Sequence, residues 1–129
     1  MFRVGVRFEE SGPFGEPGHW LEDVDFSRSV SRFGRVVASP HLLGVHLGTK
    51  TGRMSGRRLG YSQIANPIYL VGKRSMTWRH AIAQMIRNLA SNVARVWRPE
   101  PWVDRQGRLK GNILAISDFL RGRLSPQNI

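Results

Sequence analysis

The strongest constraint on folding is a long helical repeat in the rear half of the chain. Between Thr77 and Arg98, the residues Trp78, Ile82, Met85, Ile86, Leu89, Val93, Val96 and Trp97 recur at helical spacing. Arg79, Arg87, Asn88, Arg95 and Arg98 fall mostly off that stripe. Apolar side chains at this period share one face of an α-helix and call for a partner surface. Pro99 and Pro101 end the helix. A turn at Asp104-Arg105-Gln106-Gly107 precedes a second, shorter helix expected from about Asn112 to Arg121, edged by Ile113, Ile116 and Leu120.

The front half reads differently. Phe2 to Phe8 alternates as a strand does, although Gly5 weakens it. Glycine and proline punctuate Ser11 to Gly18, which cannot be regular structure. From Asp23 to about Phe33 a short helix is expected, with Phe26, Val30 and Phe33 on one side and Gly34 as its stop. Arg35 to Ala38 is β-rich and ends at Ser39-Pro40, and Leu42 to Leu47 suggests another short strand. Thr49 to Arg58 reads as a mobile basic loop, and Gly60 to Gly72 as an apolar segment broken at Asn66-Pro67. The expected class is α/β in front, followed by a mainly α-helical, basic extension.

Charge divides the chain in the same place. Met1 to Gly48 holds five Lys/Arg against six Asp/Glu, and Thr49 to Ile129 holds fifteen against three. The net charge of +11 therefore resides in the rear. Such a block favours anionic partners: phosphates of a nucleotide or lipid, an acidic membrane surface, or nucleic acid. With no cysteine, disulfides and thiolate metal sites are excluded. The N-terminus carries no apolar run of signal-peptide length, and no later stretch approaches a membrane span.

The run Trp20-Leu21-Glu22-Asp23-Val24-Asp25-Phe26 places three carboxylates within four positions, directly after the Gly/Pro loop. Acids so close repel one another unless a cation, a helix N-terminus or a shared proton holds them. Two readings stand at this point. The acids complement the positive end of the helix, or one of them is a general base presented to a sugar hydroxyl.

Val4-Gly5-x-x-Phe8-Glu9-Glu10, the Gly/Pro loop, Glu22-Asp23-x-Asp25-Phe26, Gly34, Val36-Val37-Ala38-x-Pro40 and the segment ending at His46 together resemble the second half of a family 2 glycosyltransferase catalytic domain. Gly60-Tyr61 through Asn66-Pro67-Ile68-Tyr69, then Arg98-Pro99-Glu100-Pro101-Trp102 and Gly111-Asn112-x-Leu114, resemble the C-terminal extension of bacterial members that build surface polysaccharides. The resemblance implies a partial GT-A-type α/β domain over residues 1–48, a basic loop and connecting segment over 49–75, and an amphipathic helical extension over 76–129. The family's donor-binding half, with its metal-binding Asp-x-Asp, has no counterpart here. Asp23-Val24-Asp25 occupies the acceptor-side position instead. The expectation is a C-terminal piece of a glycosyltransferase, inactive alone.

The resemblance assigns roles residue by residue. Asp23 becomes the catalytic base of an inverting transfer, with Trp20, Glu22 and Asp25 binding or positioning the acceptor. Arg53, Arg57 and Arg58, in a loop rich in glycine, would close over the donor diphosphate, where guanidinium forks suit phosphate. A solvated surface loop is the equal alternative. His46 stands where some members place a metal-binding histidine. No cofactor is expected in this chain, whereas the intact enzyme would use a divalent metal, Mn²⁺ or Mg²⁺. Implied partners are a nucleotide sugar, a saccharide or lipid-linked saccharide acceptor and an anionic membrane surface, in the cytoplasm or at the inner face of the cell membrane. The Trp78–Trp97 helix could lie in such an interface or simply pack on the domain. A small basic nucleic-acid-binding protein is the competing class. The scattered arginines and the lack of an interleaved aromatic platform count against it.

Overall fold

The computed structural model describes residues 21–37, 41, 54–98 and 100–128. They form four helices: α1 (Glu22–Val30), α2 (Gly56–Gly72), α3 (Trp78–Arg95) and α4 (Arg105–Leu120). The expected α/β class is therefore corrected to all-α among the described residues. Their β-type pairing is confined to an isolated bridge between Glu100 and Val103, which closes a turn. The expected strand at Arg35 to Ala38 is irregular over 35–37, and Val36 and Val37 lie exposed. β-Branched residues favour a strand only when a neighbouring strand packs against them, and among the described residues none does. The strands expected at Phe2 to Phe8 and Leu42 to Leu47 lie outside the described residues.

Side chains start three of the helices. Ser55 accepts the amide of Arg58, Thr77 that of His80 and Asp104 that of Gly107, each relieving one of the free N–H groups of a first turn. The basic loop expected to reach Arg58 thus gives way to helix at Gly56, and α4 begins at Arg105, earlier than the expected Asn112. α2 also runs unbroken through Pro67. Proline there forfeits one ladder bond, which burial of the helix from Gly60 through Pro67 outweighs.

α2 is the central element. Its Tyr61, Ile64 and Ala65 form the core with Ala115 of α4, and Ile68, Met85, Leu114 and Leu124 pack around them. α2 and α4 make the most extensive contact, and α3 leans on both. Both partners carry glycine four residues apart, Gly56 and Gly60 on α2, Gly107 and Gly111 on α4. A methyl group at Gly60 would collide with the backbone carbonyl of Arg108, and one at Gly111 with that of Arg57. The helices cross backbone against backbone, which only small residues allow.

Polar side chains tie this crossing to α3. Asn92 of α3 donates through Nδ2 to Gln63 Oε1 of α2 (2.9 Å) and to Asn112 Oδ1 of α4 (3.0 Å). Asn112 donates in turn to the Gly60 carbonyl at 2.7 Å. Arg105 reaches the junction edge, donating to Asn92 Oδ1 (3.4 Å) and to Glu100 Oε1 (3.0 Å). Buried amides are costly without partners, so this network fixes the relative register of all three helices.

Candidate functional site

The acidic run falls at the start of α1. Leu21 takes a left-handed conformation, φ 77°, and turns the chain into the helix without a side-chain cap. Asp23 is exposed, and its Oδ1 accepts the amide of Val24 at 2.9 Å. Asp25, two residues on, is wholly buried. Its Oδ2 pairs with Lys73 Nζ at 2.5 Å, and its Oδ1 accepts from Ser75 Oγ at 2.8 Å. The two acids thus have opposite surroundings. One carboxylate faces solvent, and the other latches α1 to the turn between α2 and α3.

That turn is itself well defined. Arg74 N–H donates to the Val71 carbonyl and Ser75 N–H to that of Leu70, both at 2.9 Å. These are the paired bonds that close a helix on a left-handed residue, here Arg74 at φ 61°. The Lys73 ammonium also sits 5.8 Å from the centre of the Tyr69 ring, within cation–π range.

Between α1 and the turn lies an open cleft of about 370 Å³, bounded by Asp23, Val24, Ser27, Arg28, Val36 and Ser75. A neighbouring cleft of about 450 Å³ shares Val24, Arg28 and Ser75 and adds Arg74, Thr77, His80 and Gln84. Along this paired groove stand one solvent-facing carboxylate, two guanidinium groups, an imidazole and several hydroxyls. Such a lining can accept a proton, donate to phosphate and hydrogen-bond a polyol.

The structure places the expected site residues unevenly. Asp23 lines the groove. Asp25 is engaged as a latch, with both carboxylate oxygens taken. Arg57 and Arg58 are exposed in the first turn of α2 and line neither cleft. Trp20, His46, Arg53 and the side chain of Glu22 lie outside the described residues. Among the described residues no group of three or more His, Asp or Glu is placed to hold a metal ion. Comparison with family models, with curated proteins and with solved structures finds no match for this chain.

Sequence reasoning missed Lys73, Ser75, Arg74 and His80 as groove and latch residues. Nothing local links Asp25 to residues some fifty positions away. The amide junction did leave a trace. Asn92 sits eleven residues after Ala81 and seven after Met85, on the inward side of α3, where an apolar residue would be expected.

Proposed function

We propose that this chain is the acceptor-side, C-terminal part of a glycosyltransferase that moves a sugar from a nucleotide-sugar donor to a saccharide or lipid-linked saccharide in surface-polysaccharide synthesis. The observation that carries the reading is the division of labour between two neighbouring acids: Asp23 open to the groove, Asp25 buried and latched. It accords with the resemblance of the Glu22-Asp23-x-Asp25 segment, in which Asp23 takes the place of the base.

In this reading the acceptor lies in the groove with one hydroxyl at Asp23. The hydroxyl oxygen attacks the anomeric carbon of the donor from the face opposite the leaving group. The new carbon–oxygen bond forms as the bond to the nucleoside diphosphate breaks, and the diphosphate departs with the electron pair. Asp23 takes the hydroxyl proton, as a positioned general base does. Arg28 and Arg74 stand where they can hold a phosphate of a lipid-linked acceptor, since guanidinium groups bind such oxyanions well. The donor pocket belongs to a nucleotide-binding half supplied by other residues.

Reconstitution with such a half tests the proposal. Transfer of labelled sugar should fall by ~10²–10⁴-fold in Asp23→Asn, the usual contribution of a general base. Turnover within a few-fold of the unsubstituted protein would reject the assignment.

A further inference from the structure

The outer side of α3 and α4 is apolar and uncovered. Trp78, Ile82, Ile86 and Val93 project from α3, with Ile86 61% exposed. From α4 project Ile113, Ile116, Phe119 and Leu120, with Ile113 67% and Leu120 79% exposed. The two sets meet in a groove of about 280 Å³, lined only by apolar side chains, where Trp78 and Ile86 face Ile116 and Phe119. Ile64 and Ile68 of α2 also line it. An apolar surface of this breadth, spread over two helices, marks a place where something docks.

The surrounding charge selects the occupant. Residues 54–128 hold thirteen Lys/Arg against three Asp/Glu. All three acids are already committed: Glu100 to Arg95 and Arg105, Asp118 to Arg123 and Tyr61, and Asp104 to the cap of α4. Exposed Arg79 and Arg87 each directly follow an apolar residue of the face, and exposed Lys110 and Arg121 bracket the α4 set. A second copy would bring like charges together across the contact. Apolar residues also continue beyond the groove past the C-terminal end of α3, through Val93 to Trp97, 87% exposed, which suits a plane more than a rod. Indole rings at such a boundary favour the headgroup layer, and arginine stems can lie along it with their charges outward. No helix among the described residues is long and apolar enough to cross a membrane.

We infer that the α3–α4 face is a peripheral docking surface for an anionic lipid bilayer. The inference goes beyond the proposed transfer and rests on α3 and α4 alone, so loss of either leaves the other standing. The test is flotation of the full chain with vesicles of phosphatidylcholine, alone or mixed with phosphatidylglycerol, at ~0.15 M salt. The protein should rise with the mixed vesicles and stay down with phosphatidylcholine alone. Ile86→Glu on α3 and Ile113→Glu on α4 should each cut the bound fraction about ten-fold. Both positions face solvent, so the circular dichroism of the variants should match that of the unsubstituted chain. Protein that remains at the bottom with all vesicles overturns the inference. So does flotation undiminished by either variant, which would show charge acting alone. A dimer split by Ile86→Glu, or capture of an acidic amphipathic peptide without flotation, would assign the face elsewhere and overturn it equally.

Discussion

The seam between α2 and α4 and the latch between α1 and the Lys73–Ser75 turn hold this molecule by opposite means. In the seam, glycines let two backbones touch, and a buried amide junction adds α3. Many small contacts share the load, and the charged groups, Arg105 and Asp118, stand at its edge. The latch concentrates attachment in one buried carboxylate with two partners. A seam of that kind makes a rigid scaffold. A latch of that kind positions a short helix against the scaffold without needing a large interface, and it leaves the neighbouring Asp23 exposed to the groove.

Breaking the seam should have the largest effect. Gly111→Ala would press a methyl group into the Arg57 carbonyl, where neither backbone can yield. A loss of about 3 kcal/mol is expected, read by chemical denaturation. Breaking the latch should cost less. Asp25→Ala leaves Lys73 without its carboxylate, but the lysine side chain is 29% exposed and can hydrate. A loss of about 2 kcal/mol follows, below the range for fully buried pairs, with hydrogen exchange accelerated first in α1.

Tyr61 sharpens the picture of the seam. It is wholly buried, and its hydroxyl donates to Asp118 Oδ2 at 3.1 Å and accepts from Asn128. Burial, with the Asp118 bond assisting, raises its phenol above the ordinary value of 10.0. In the unfolded chain the phenol ionises first as pH rises, so the native state holds the extra proton. Stability should be level below pH ~10 and fall as pH climbs toward the raised native value. Tyr61→Phe should remove that share of the alkaline decline, at a cost of about 1 kcal/mol near neutrality, measured by melting across pH.

The smallest expected effect is a gain in the latch. Arg74 holds a left-handed conformation between the two residues that bind Asp25, whereas the matching position after α4 is Gly122, at φ 66°. Arg74→Gly should relieve that strain and stabilise the turn by about 0.5–1 kcal/mol. If the melting temperature instead drops, the groove-side contacts of the Arg74 side chain outweigh the backbone strain.

The same contrast explains what the sequence revealed. The period of Trp78 to Trp97 gave α3 to within a few residues, because its apolar stripe is a local pattern. α1 was legible for the same reason, ending at Val30 and thus before Gly34. α2 was not. Its Asn66-Pro67 reads locally as a break, and its glycines read as loop, since their purpose is set by α4 fifty residues away. Gly72 invites a helix stop, yet the helix includes it and closes two residues later on Arg74. At Arg35 to Val37 β-propensity pointed to a strand, but these residues are irregular and have no strand beside them among the described residues. Of the site, Asp23 was legible as one of three clustered acids. That Asp25 serves the fold depended on Lys73 and Ser75, which no spacing rule connects to it. Gly60, Tyr61, Glu100, Gly111 and Asn112, which carried the resemblance of the rear half, all take part in holding α2, α3 and α4 together.

The division between the two acids is tested most directly by comparing Asp23→Asn and Asp25→Asn, with melting temperature and sugar transfer in the reconstituted enzyme measured on each. Asp23→Asn should melt with the unsubstituted protein while transfer falls by ~10²-fold or more, and Asp25→Asn should melt earlier. Transfer preserved in Asp23→Asn, or an unchanged melting temperature in Asp25→Asn, would contradict it.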